Sequence, residues 1–131
     1  MRRGAAVALL LAACAGPLEP ADLAGPWGGE HAELALDAAG AGTLQYDCAH
    51  GTIVPPITLG RNGALTATGT HVREHGGPVR VGEVEDSHPA RYDGAVYGDR
   101  ITFTVTLSDD GSVIGPFTVH RGEPARLFRC L

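Results

Sequence analysis

The sequence predicts an all-β protein: a small antiparallel up-and-down β-barrel of about eight strands, with a two-sheet β-sandwich as the alternative. Three observations predict it. From Glu30 onward apolar residues recur at every second position, the period of half-buried strands rather than of helices. The breaks between these runs carry Gly, Asn and Asp, which tolerate the positive φ of tight hairpins. Lys is absent, and 19 Gly and 9 Pro interrupt the chain too often for long helices.

Taken in order, Ala32, Leu34 and Leu36 share one face against His31, Glu33 and Asp37, so a strand is expected near 31–37. The small residues of 38–42 turn the chain. Leu44, Tyr46 and Cys48 then alternate with Thr43, Gln45 and Asp47 over 43–49. Further strands are expected near 53–59, 64–72, 79–84 and 90–97. The clearest alternation sets Ile101, Phe103, Val105 and Leu107 against Thr102, Thr104 and Thr106, giving 100–107, and strands near 113–120 and 125–131 complete the series. Arg61-Asn62-Gly63, Tyr97-Gly98-Asp99 and Asp109-Asp110-Gly111 supply the hairpin turns. Eight or nine short strands in a flat sheet would leave exposed edges, and rolling into a barrel removes them.

The first residues read differently. Met1-Arg2-Arg3 is basic and 4–13 is uncharged and rich in Ala, Val and Leu, too short to span a bilayer, which takes about 20 apolar residues. The stretch ends in Leu11-Ala12-Ala13-Cys14, which resembles the lipobox of bacterial lipoproteins. That resemblance implies cleavage before Cys14, acyl chains such as palmitate on its thiol, and export to the cell envelope. The membrane would then be a partner through the lipid, with the domain on a periplasmic or extracellular face. Each buried methylene of such an anchor contributes roughly 0.8 kcal/mol. An ordinary secretory signal that happens to contain Cys is the alternative. The expected organisation is a signal peptide at 1–13, lipidated Cys14 with a flexible tether to 24, and a single domain at 25–131.

Assigning Cys14 to lipid leaves Cys48 and Cys130 as one pair in an oxidising compartment. A disulfide between them would close a loop of roughly 80 residues, which the chain-entropy description values at about 4 kcal/mol at most. Two free thiols, or a reactive Cys48 with His50 as its base, are the alternatives. Loss of Arg2 and Arg3 with the signal leaves 8 Arg against 15 acidic residues, a net charge of −7. Nucleic acid is disfavoured as a partner, because such binding leans on basic surface. Seven aromatics are too few for a stacking platform.

Two stretches carry a further resemblance. Gly25-Pro26-Trp27 is similar to the Gly-x-Trp opening of lipocalins and other calycins, and Tyr92 to Phe103 resembles the hairpins of avidin-like barrels. The whole of 27–131 resembles a set of uncharacterised bacterial secreted proteins. These resemblances imply a small barrel and no activity, and no biotin-contacting residue is carried over.

Chemistry could reside in two groups. Six His suggest a metal ion, with His71 and His75 joined by His31 or His50. On a regular strand residues four apart lie about 13 Å from each other, so His71 and His75 could share an ion only across a bend, since each ligand must come within about 2 Å of it. Ordinary surface histidines are the competing reading. Tyr46, Arg91, Tyr92 and Arg129 form a second group, in or beside apolar faces, where a small ligand could satisfy them; Arg129 paired with an acid such as Glu33 is the alternative. Arg73-Glu74 and the acids Glu83, Glu85 and Asp86 read as solvated loop charges. Ser87, Ser108 and Ser112 lie beside turns, no Gly-x-Ser-x-Gly elbow occurs and no Gly-rich phosphate loop opens a helix, so no catalytic residue or cofactor is expected. A noncatalytic barrel whose mouth, or the loop 73–90, receives a small apolar ligand or a protein partner is the leading expectation.

Overall fold

The computed structural model describes residues 16–131 together with Gly4 and Val7. Cys14 and, apart from Gly4 and Val7, the expected signal peptide at 1–13 lie outside the described residues. The chain forms a closed barrel of eight antiparallel strands in sequential order. These are β1 (Gly25–Gly29), β2 (Ala32–Leu36), β3 (Gly42–Tyr46), β4 (Ala49–Leu59), β5 (Ala64–Arg73), β6 (Asp86–Tyr97), β7 (Arg100–Leu107) and β8 (Val113–Arg121). No helix among the described residues is long and apolar enough to cross a membrane.

The period-two pattern is realised as expected. In β7 buried and half-buried residues alternate without exception from Ile101 to Leu107. The inward residues fill the lower barrel: nine of them, including Leu34, Ile57, Leu65 and Phe103, surround a void of only about 10 Å³. A short 3-10 turn, Pro20–Leu23, closes this end by burying Leu23 beneath Trp27, whose indole N–H donates to the Leu23 carbonyl at 2.9 Å. The Arg121 guanidinium lies 4.3 Å above the indole ring. The last residues of the expected tether therefore belong to the fold, because Leu23 supplies an apolar plug.

Several strand expectations need correction. The segment 79–84 is an exposed loop, broken by Pro78 and Gly82, in which Val79, Val81 and Val84 find no face to bury. The segment 125–131 forms no strand; it runs as a strap along the open end and touches the sheet through one bridge, Glu30 to Arg126. Its place in the barrel is taken by β1, which Gly-Pro-Trp-Gly-Gly hid because it offers only one large apolar side chain. The turn expected after 49 falls instead at Asp47-Cys48, where Cys48 adopts φ 54°, and β4 runs unbroken from Ala49. For a residue with a Cβ that conformation costs roughly 1–2 kcal/mol. Cys48 is held there by a disulfide to Cys130, with Cα atoms 5.0 Å apart across a sequence separation of 82.

Tyr92 divides the filled end from the open one. Its phenol reaches along the two neighbouring strands, where it lies 2.8 Å from the Thr70 carbonyl and 3.1 Å from that of Thr52, sharing one proton between β5 and β4. Glycine makes the approach possible: a Cβ on Gly51 would meet the Tyr92 hydroxyl at 2.9 Å. Replacing Tyr92 with Phe removes this bond while keeping the ring. The expected cost is about 1–2 kcal/mol, read as a lower urea midpoint with an unchanged m-value.

Candidate functional site

The other end is open. Adjacent strands at this end are joined by the β1–β2 turn at Glu30-His31, the β3–β4 turn at Asp47-Cys48, the long β5–β6 loop and the β7–β8 turn. β1 and β8 pair only at Trp27–Arg121 and Gly28–His120, and above that point they part. The strap bridges the gap: Arg126 N–H donates to the Gly29 carbonyl, and His31 N–H donates to that of Arg126. Between strap, β8 and the turns lies a cavity of about 1000 Å³.

Tyr46, His71 and Phe117 line this cavity, with the Tyr46 ring centroid 5.3 Å from that of His71 and 5.0 Å from that of Phe117. Tyr46 and His71 are 5% and 2% exposed; the Tyr46 hydroxyl has only the Tyr92 phenol to turn to, and His71 Nδ1 has no hydrogen-bond partner. Burial, reinforced by the nearby Tyr92 phenol, raises the Tyr46 pKa and keeps it un-ionised. Burial also lowers that of His71; the positive charges of Arg73, His88 and His50 add to this, and Asp86 opposes it. His71 is therefore a neutral imidazole at pH 7.

A second cavity, of about 780 Å³, lies between the strap and the β5–β6 loop. Tyr46, Cys48 and Arg73 line both spaces. Arg126 of the strap lines the first cavity, whereas Ala125 and Leu127 to Cys130 line the second.

The four histidines considered as metal ligands take separate places. His31 bonds to Asp47 at 2.5 Å, His50 to Glu74 at 2.9 Å and His75 to Glu83 at 2.5 Å, while His71 is buried among the aromatics. Among the described residues, the group of three whose potential ligand atoms all approach within 4.8 Å is His88, Asp109 and Asp110. Both His88 nitrogens already face carboxylates, Nδ1 that of Asp109 at 2.7 Å and Nε2 that of Asp86 at 2.8 Å. Sequence reading missed His88 because the start of β6 meets the β7–β8 turn only through the register of the β6–β7 hairpin.

The group Tyr46, Arg91, Tyr92 and Arg129 is likewise divided. The two tyrosines are buried inside. Arg91 is exposed and pairs with Asp93 at 3.1 Å. Arg129 sits on the strap beside the second cavity, and among the described residues it forms no ion pair with Glu33. The reading of Cys48 as a nucleophile is overturned, since its sulfur is bonded to Cys130. No family model, curated protein or solved structure matches this chain.

The depressed His71 pKa has a definite sign. Above the unfolded value of about 6.5 the imidazole is neutral in both states; below it the unfolded chain binds the proton first, so stability falls toward the lower folded value. His71→Phe is expected to reduce the loss of urea midpoint between pH 7.5 and pH 5 relative to the wild type. An equal loss in both proteins would contradict this.

Proposed function

We propose that this chain is an exported lipoprotein, anchored to the cell envelope through Cys14, whose barrel mouth binds a small ligand with an apolar body. The observation that carries the binding reading is the mouth cavity itself. It is large enough for a small molecule and is lined by aromatic rings, and one of its buried lining side chains, His71, carries a ring nitrogen, Nδ1, that nothing in the protein satisfies. Buried polar groups without partners cost roughly 1–3 kcal/mol each, a cost that a bound ligand can offset. A few polar groups set in an apolar concave wall are the usual composition of small-molecule sites. The anchor rests on Leu11-Ala12-Ala13-Cys14 and on the pairing of the other two cysteines with each other.

Two experiments test the two halves. The domain from residue 16 is titrated with the fluorescent probe 8-anilinonaphthalene-1-sulfonate. Saturable enhancement is expected, weakened at least about tenfold, or 1.4 kcal/mol, by Ile114→Trp, which narrows the cavity from its half-buried edge. Absence of binding, or equal binding by the variant, would refute the site. For the anchor, cells expressing the full chain are labelled with palmitate. Incorporation is expected in the wild type and not in Cys14→Ser, which should move to the soluble fraction; equal labelling of both would refute it.

A further inference from the structure

The long loop between β5 and β6, residues 74–85, forms one wall of the second cavity through His75, Val79, Glu83 and Val84. Its apolar side chains do not hold it there. Val79, Val81 and Val84 are 79%, 107% and 89% exposed, so burial contributes little to its position. What holds it is a set of polar ties, and imidazoles dominate them. His50 bonds to Glu74 at the root of the loop. Within the loop, Glu83 accepts from His75 and from the Arg80 N–H, drawing the two limbs together. Just past its far end, His88 joins Asp86 to Asp109 on the β7–β8 turn.

Two of these imidazoles share an unusual geometry. His75 has Nε2 on the Glu83 carboxylate and Nδ1 on the Gly76 carbonyl at 2.9 Å. His88 has a carboxylate on each nitrogen. Every one of those four partners is an acceptor. A neutral imidazole carries one N–H and one lone pair, so it satisfies one such partner and repels the other, whereas imidazolium donates to both.

We propose that the β5–β6 loop is a proton-latched flap over the second cavity, closed while His75 and His88 are imidazolium and released when they lose their protons. The latch does not rest on ligand binding at the mouth. The surroundings agree with it. Glu83 and the Gly76 carbonyl raise the His75 pKa, with Arg80 in the same loop and Arg129 on the facing strap as the nearby cations. Asp109 and Asp86 raise that of His88, with Asp110 beside it and Arg73 and His71 on neighbouring β5. A raised folded value means the closed state binds protons more tightly than the open one. Closure is therefore fully favoured below about pH 6.5 and is lost as pH rises through the folded values.

Trypsin cleavage after the exposed Arg80 reports the open flap. The rate is measured from pH 6 to pH 8.5 and divided at each pH by that of a free peptide spanning 74–88, which removes the protease's own pH dependence. The normalised rate is expected to rise about tenfold across this range, or 1.4 kcal/mol in the opening equilibrium. His75→Gln combined with His88→Gln should cleave at the alkaline rate already at pH 6. Both positions lie outside the core, and Trp27 fluorescence verifies that the barrel is intact. A normalised rate that does not change with pH, or a double variant as resistant as the wild type at pH 6, would overturn the latch. A flap that follows pH in a protein that takes up no dye would leave the latch standing and remove only the binding reading.

Discussion

Closure between β1 and β8 is the constraint on which everything else in this molecule depends. A meander of eight strands has two free edges, and each is a row of backbone donors and acceptors that water or a neighbour must satisfy. Only two residue pairs join those edges directly. The sequence at the joint explains why so few suffice: at Gly28 a Cβ would collide with the Glu123 carbonyl, and at Gly29 with that of Thr118, so bare backbone lets the strap and β8 come close. The strap then takes over where the edges part, bonding to Gly29 and His31 and ending in the disulfide. Without the strap the upper halves of β1 and β8 would be exposed edges, and the mouth would have no wall.

The same arrangement separates a filled end from an open one. Leucines, isoleucines and Phe103 meet in the lower barrel and leave almost no void. Above Tyr92, whose hydroxyl takes the space a Cβ on Gly51 would need, the mouth is lined by Gly29 and Ala49 and by His71 and Tyr46. Small residues there cannot span the interior, and the two larger ones carry polar atoms. Packing density alone would favour filling this region with aliphatic side chains. That it is not filled is the physical reason the mouth, rather than the core, is the place to look for a ligand.

Much of the fold was legible in the sequence because alternation is a direct consequence of backbone pleating, and β7 shows it almost without noise. What the sequence hid follows from the same rule. β1 contains one large side chain, so alternation had nothing to mark. The loop 79–84 contains Val79 and Val81 at strand-like spacing, yet no neighbouring strand receives them, and pattern cannot report the absence of a partner. The strap, read as a last strand, instead lays Leu127 to Cys130 against one cavity and turns Arg126 to the other, so no core face marks it. The site was less legible still. Tyr46 and Tyr92 were found because an aromatic on an inward face is visible in one dimension; His88 with Asp109, or His50 with Glu74, is a contact between elements that only the barrel's register creates.

The distribution of charge pairs follows the same division between a closed end and an open one. At the closed end Asp99 is met by Arg121, a cation that keeps its charge at every accessible pH. At the mouth, the long loop and the β7–β8 turn are tied by His75 and His88 to carboxylates, which raise the pKa of both imidazoles above its ordinary value. The difference matters because the two moving parts of the mouth are held by different means. The strap is fixed covalently at Cys130, so its position is indifferent to protons. The β5–β6 loop has neither a disulfide nor buried apolar side chains of its own, and beyond the Glu74 N–H bond to the Cys48 carbonyl and the approach of Gly76 to Leu131 at its root, what positions it is hydrogen bonding to groups that titrate. A segment held in this way must respond to pH more strongly than the barrel beneath it, whatever occupies the cavity it covers.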